Sequence, residues 1–221
     1  MPRLKICGIN DAAFAVEAAR RGVDDRGLIF AEGSPRRVTP DQARGIVAAV
    51  GRAGAAAMPR FVGVFVKHAV SEIAEIASGV GLDVIQLHGE YSSDEVAALK
   101  AQGYEVWRLH RPSAGRADGS SSDSCEDAVL LDGRRGTESH RADWSLVTPL
   151  KAAGRRVVLA GGISAADIAA AAATGADVID VNSSIESAPG VKSPALLSEL
   201  LAAWKSIGKN LKGRIDAGND F

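Results

Sequence analysis

Residues 157–186 read VVLAGGISAADIAAAAATGADVIDVNSSIE. The stretch opens on an apolar run, Val157–Ala160, and closes on another, Val178–Val181. Between them lie Gly161-Gly162, the helix-start pattern Ser164-x-x-Asp167 and an alanine-rich segment suited to a helix. A strand, a glycine turn, a capped helix and a second strand make a βαβ unit, which requires a parallel sheet. Neither run alternates polar with apolar residues, so both read as strands covered on their two faces.

The same unit recurs towards the N-terminus. Six more short runs qualify as strands: Leu4–Cys7, Gly27–Phe30, Phe61–Val66, Val84–Leu87, Glu105–Leu109 and Ala128–Leu131. The segments between them carry helix starts, among them Thr39-Pro40-Asp41-Gln42, with proline at the first helical position, and Ser92-x-x-Glu95. The last helix places Leu196, Leu197, Leu200, Leu201 and Trp204 on one face. Eight strands in 221 residues leave about 27 residues per unit, which suits a single (β/α)8 TIM barrel near its lower size limit. The expected organisation is one α/β barrel over residues 1–207 and a polar, frayed tail over 208–221. Arg111–Glu126 (RPSAGRADGSSSDSCE) has turn chemistry and no helical period, so the fifth helix should be curtailed. Ser183-x-x-Glu186, halted by Pro189-Gly190, predicts a short extra helix after strand eight, before a main helix near Ser193-Pro194.

Composition narrows the function. Lys plus Arg number 26 and Asp plus Glu 27, for a net charge of −1, with no basic run. That balance disfavours a nucleic-acid or anionic-membrane surface. No apolar stretch approaches the length of a membrane span, and the N-terminus MPRLKICG lacks the apolar core of a signal peptide. Cys7 and Cys125, distant and without a CxxC, fit a reducing cytoplasm. The expected location is cytoplasmic, and the expected partner is a small molecule.

In such barrels chemistry sits at the C-terminal ends of the strands. The polar residues there are Cys7, Ser34 to Arg37, His88, Asp132, Gly161-Gly162 and Asp180 to Ser184. Gly161, Gly162 and a capped helix start can offer backbone N–H groups to an anion, with the extra helix after strand eight as a second wall. Cys7 read alone is equally a small core hydrophobe, and Asp132-Gly133 equally a turn. Arg36 could clamp a carboxylate through both prongs of its guanidinium. His88 has no second histidine at ligand spacing, so no metal site is expected. A GxGxxG fingerprint is absent, which disfavours a nicotinamide cofactor.

KICGI (Lys5–Ile9), FAEGSPRRV (Phe30–Val38), VGVFV (Val62–Val66), QLHGE (Gln86–Glu90), LLD (Leu130–Asp132), DWSL (Asp143–Leu146), LAGGIS (Leu159–Ser164) and ESAPGVKS (Glu186–Ser193) occur in that order. Together they resemble the phosphoribosylanthranilate isomerase family of tryptophan biosynthesis, from about Arg3 to Ile207. The resemblance implies a cofactor-free and metal-free Amadori rearrangement in a monomer or homodimer. Cys7 would be its general base and Asp132 its general acid. Arg36 would meet the anthranilate carboxylate, and His88 and Asp180 would line the substrate. Gly161, Gly162, Asn182 and Ser183 would hold the phosphate. A related sugar-phosphate isomerase of histidine biosynthesis uses an aspartate where Cys7 stands, and a non-catalytic phosphate-binding barrel is the alternative of another class.

Three departures from the family pattern stand out. Asp25-Arg26 replaces an apolar pair in strand two; at a strand's start it is expected on the solvated bottom face, since burial would cost stability. Three arginines and a histidine enter the segment from Gly133 to Trp144. Asn182-Ser183-Ser184 keeps backbone donors where many members have Ser-Ser-Gly. Cys7 must also act as thiolate while Asp132 is protonated, against ordinary values of about 8.5 and 3.9, an inversion of roughly 6 kcal/mol. The implied chemistry predicts a bell-shaped pH profile of turnover whose limbs belong to the coupled pair. A profile flat from about pH 5 to 9, with the chemical step rate-limiting, would exclude that pair.

Overall fold

A computed structural model describes residues 1–54, 60–110, 125–133 and 141–217. Eight parallel strands close into a barrel in chain order: β1 (Arg3–Ile6), β2 (Asp25–Ile29), β3 (Arg60–Phe65), β4 (Val84–Leu87), β5 (Glu105–Leu109), β6 (Ala128–Leu131), β7 (Val157–Leu159) and β8 (Val178–Val181). The ring shuts where β8 pairs with β1, Lys5 opposite Asp180 and Ile6 opposite Val181. Around it lie α1 (Ala12–Arg20), α2 (Pro40–Arg52), α3 (Val70–Val80), α4 (Ser93–Lys100), α5 (Val147–Ala152), α6 (Ile168–Ala173) and α7 (Pro194–Ala217). A 3₁₀ turn, Ser183–Ile185, is the short extra helix expected after β8. An antiparallel hairpin, β9 (Glu186–Ala188) and β10 (Val191–Lys192), follows it and was not legible in the sequence. Helix α7 continues past Ile207 through Ala217, so the segment read as a frayed tail begins inside a helix. The curtailed fifth helix, on residues 111–124, lies outside the described residues.

Local chemistry explains which helix starts succeed. At Thr39 and at Ser92 the capping box forms in both directions, with Gln42 and Glu95 answering the cap. Ser164-x-x-Asp167 behaves otherwise. Asp167 accepts from the Ser164 amide and hydroxyl, which closes a turn, and α6 begins only at Ile168. At Ser183 no box forms, because Glu186 is drawn away to other partners.

Alternation along the strands separates two cores. Val62, Val84, Trp107, Leu130, Val158 and Val178 fill the lumen, while Leu4, Leu28, Phe65, Ile85 and Val129 face the helices. At the bottom of the lumen Trp107, fully buried, donates its indole N–H to Glu105. Beneath it Arg3 grips Asp25 with two hydrogen bonds of 2.9 and 2.8 Å, and Arg60 bridges Asp25 and Glu105.

Asp25 and Arg26 are both fully buried, which corrects the expectation of a solvated pair. They face opposite ways. Asp25 enters the lumen, where arginines compensate it. Arg26 points into the layer between sheet and helices, its guanidinium 6.0 Å from the Phe61 ring centre. One nitrogen donates to the Val23 carbonyl, but Nε and Nη1 have no hydrogen-bond partner among the described residues. Burial pulls its pKa down to about 10. A buried charge so weakly compensated is destabilising. Arg26→Leu should therefore raise stability by about 1–3 kcal/mol, seen as a higher urea midpoint at unchanged slope. An unchanged or lower midpoint would show that the guanidinium is adequately satisfied.

Candidate active site

The C-terminal mouth of the barrel is built outward from β1. Cys7 directly follows this strand, and its amide donates to the Val181 carbonyl at 2.9 Å, so its placement is fixed by the closure of β1 on β8. Room for the thiol comes from Gly27 on β2, where a Cβ would stand 2.7 Å from Sγ. Two residues earlier on the same face, Lys5 Nζ donates to Asp180 Oδ2 at 2.6 Å, and both side chains are buried. Burial opposes charge on Lys5, but Asp180 beside it keeps the ammonium protonated far into the alkaline range. Asp180 itself is pushed up by burial, with the charge of Asp132 adding to the rise.

Burial likewise pushes the Cys7 thiol up; Lys5 and Lys192 pull it back and Asp180 adds to the rise. The resting thiol therefore holds its proton, the opposite of what a base requires. Cys7 follows β1 and Asp132 follows β6, so both stand at the C-terminal mouth, with Asp180 on β8 between them and in electrostatic reach of each.

Asp132 follows β6. Its Oδ1 accepts from the Gly133 amide at 2.8 Å, as an Asp-Gly turn does, and its Oδ2 faces His88 Nε2 at 3.6 Å. Gly161 abuts this turn with φ +87°, and a Cβ there would come within 2.6 Å of the Gly133 nitrogen. Only glycine fits both the space and the backbone conformation. The amides of Gly161 and Gly162 make no hydrogen bond among the described residues. Two buried acceptors in the lumen are also unpartnered there, Asp180 Oδ1 and Gln86 Oε1. The arginine-rich segment after Asp132 falls at 134–140, outside the described residues.

Arg36 lies in the β2–α2 loop, and the fork that the sequence offers to a carboxylate is already engaged. Its Nε and Nη2 donate to Glu186 at 2.8 and 2.7 Å. Glu186 also accepts from Lys192 Nζ at 2.9 Å and from the Gly190 amide. Lys192, 1% exposed, reaches on to the carbonyl and side-chain oxygen of Asn182. Asn182 thus shares one network with Arg36, while Gly161 borders the Asp132 turn. Lys5, Gln86, Glu186 and Lys192 are the polar residues that the candidate set omitted, although each sits in a quoted motif. Among the described residues no cluster of three or more His, Cys, Asp or Glu is placed to hold a metal ion, and no helix is long and apolar enough to cross a membrane.

A family model described as N-(5'-phosphoribosyl)anthranilate (PRA) isomerase matches residues 4–203. The chain belongs to the phosphoribosylanthranilate isomerase family. An isomerase of this name from Pelobacter propionicus is 34% identical over 213 residues, covering 93% of this chain and 96% of the relative. The crystal structure of phosphoribosyl anthranilate isomerase from Thermus thermophilus superposes with a TM-score of 0.80 at 35% identity, over 93% of this chain and 99% of that one. A further family structure, in complex with reduced 1-(o-carboxyphenylamino)-1-deoxyribulose 5-phosphate, gives 0.76 at 28% identity, over 93% of this chain and all of the other. The phosphoribosylanthranilate isomerase barrel is thus the frame into which Cys7, Asp132 and Arg36 are set.

The Glu186 cluster has a pH signature. Burial opposes its ionisation, but hydrogen bonds from Arg36 and Lys192 outweigh this and hold its pKa down to about 2, against an ordinary 4.5. A depressed carboxyl stabilises the fold fully above its ordinary value and ceases to do so as pH falls towards the lowered one. Wild-type stability should therefore drop more steeply than that of Glu186→Gln between pH 4.5 and about 2, read as urea midpoints against pH. Parallel curves would disprove the coupling.

Proposed function

We propose that the protein isomerises N-(5-phosphoribosyl)anthranilate to 1-(2-carboxyphenylamino)-1-deoxyribulose 5-phosphate, with Cys7 as base and Asp132 as acid. The observation that carries this reading is the placement of Cys7 just after β1 and Asp132 just after β6 at the C-terminal end of the closed barrel, with Asp180 on β8 between them. Asp132 gives a proton to the furanose ring oxygen. The C1′–O bond breaks as the anthranilate nitrogen forms C1′=N. Cys7 then takes the C2′ proton, and the resulting enolamine tautomerises to the ketone, so the reaction is an isomerisation without net gain of protons or electrons.

Several features support the assignment of roles. Lys5 and Lys192 lower the thiol pKa, and Arg36 is electrostatically coupled to Cys7, so three cations favour the thiolate once it forms. An incoming phosphate and carboxylate would raise the acid, since like charge favours its protonated form. Unpartnered Asp180 Oδ1 and Gln86 Oε1 suit the hydroxyl donors of a ribose. His88, 3.6 Å from Asp132, suits a substrate-lining group beside the acid. The uncommitted amides of Gly161 and Gly162, with Asn182 and Ser183 in the neighbouring loop after β8, suit a phosphate. Because the thiol is raised, the doubly competent form is a minor species; the raised value broadens the pH plateau on its alkaline side and lowers its height.

The test is consumption of phosphoribosylanthranilate by the purified protein, followed by fluorescence. Cys7→Ala and Asp132→Asn should each cut kcat by about 10²–10⁴-fold, while inorganic phosphate still competes for the site. A wild-type protein that binds phosphate but does not turn the substrate over would instead be a binding barrel.

A further inference from the structure

A guanidinium has two edges that can hold a carboxylate, one through Nε and Nη2 and the other through Nη1 and Nη2. Glu186 occupies the first edge of Arg36 completely. Nη1 makes no hydrogen bond among the described residues, so the second edge remains available. The stem of Arg36 lies over the chain beside Cys7, since a Cβ on Gly8 would stand 2.6 Å from Arg36 Cδ and 2.8 Å from Asn182 Oδ1.

Glu186 is itself immobilised. Its carboxylate is 4% exposed, Lys192 bonds its Oε1, and the Gly190 amide bonds its Oε2. The hairpin that carries these residues is keyed into both neighbouring loops. The Gly190 carbonyl accepts from Asn10 Nδ2 at 3.0 Å, and Gly190 packs so closely on the Pro35 carbonyl that a Cβ would overlap it. Pro35 directly precedes Arg36, so the hairpin fixes that arginine from two directions, through its backbone neighbour and through its side chain.

We infer that the β9–β10 hairpin is a specificity element: Glu186, held by Lys192, is a positioning residue that aims the free edge of Arg36 at the substrate's carboxylate. This deepens the reading above and rests on it. A flexible arginine would lose rotamer entropy on binding and could meet its ligand in several orientations. With one edge anchored, the remaining one presents two N–H donors at a fixed angle, which favours a planar carboxylate in a defined place.

The experiment compares wild type with Glu186→Gln and Lys192→Met, using phosphoribosylanthranilate and its counterpart lacking the carboxylate, N-(5-phosphoribosyl)aniline. Glu186→Gln should raise KM for the carboxylate-bearing substrate at least tenfold with kcat changed less than threefold. Its preference for that substrate over the aniline should shrink by a similar factor. Lys192→Met should move the same quantities in the same direction, by less. Inhibition by inorganic phosphate should be unaltered in Glu186→Gln, which also reports an intact barrel; Lys192→Met, which also releases Asn182, is read by its substrate preference alone. If Glu186→Gln does not fold, Glu186→Asp takes its place; one methylene shorter, it cannot hold both nitrogens, and the same rise in KM is expected. Unchanged KM and unchanged preference, or a fall confined to kcat, would overturn the inference while leaving the isomerase reading in place. Absence of wild-type turnover would instead remove the reading on which it rests.

Discussion

Lys5 and Asp180 face each other across the seam where the first and last strands meet, 2.6 Å apart and sealed from water. A pair like this adds little net stability, because removing two charges from water costs about what their attraction returns. What it imposes is registration. A slip of one residue at the seam would turn one of the two charges out of the lumen and leave the other buried alone, at a cost of about 3–5 kcal/mol. Cys7 and Asn182 each lie two residues beyond a member of that pair. The functional mouth therefore inherits its alignment from an ion pair below it.

Polarity changes in steps along the barrel axis. At the base Asp25 and Glu105 are each answered by arginines, so charge is present but spent. Aliphatic side chains fill the middle, above Trp107. At the mouth the balance differs: a thiol, unpartnered carboxylate and amide oxygens, and an arginine with one edge open. Burial is common to all three levels, but among the described residues that line the lumen the unpartnered polar atoms, Asp180 Oδ1 and Gln86 Oε1, lie above the base. That incompleteness separates a site from a brace.

The fold was legible because strands covered on both faces must be apolar throughout, and such runs are easily seen. β4, β5, β6 and β8 occupy the residues the pattern indicated. The apolar run marks β2 only from Gly27, because Asp25 and Arg26 are charged, and nothing local reveals that Arg3 and Arg60 await Asp25 inside. Cys7 and Asp132 were found by their position after β1 and β6, and a recognisable family pattern gave them roles. Glu186 was misread for a definite reason. Ser183-x-x-Glu186 is a sound capping sequence, but a half-buried arginine and a buried lysine outcompete one backbone amide for the same carboxylate. That competition is tertiary and leaves no trace in local spacing. Lys5 was missed because a single lysine in an apolar strand has no visible partner until residue 180 arrives beside it.

Trp107 and the charged ring beneath it have a consequence for traffic. Because side chains fill the barrel below the mouth, a ligand can approach Cys7 and Asp132 from the open end alone and must leave by the same side. Product must therefore clear the mouth before fresh substrate can take its place. Any anion lodged at the threshold thereby halts exchange in both directions.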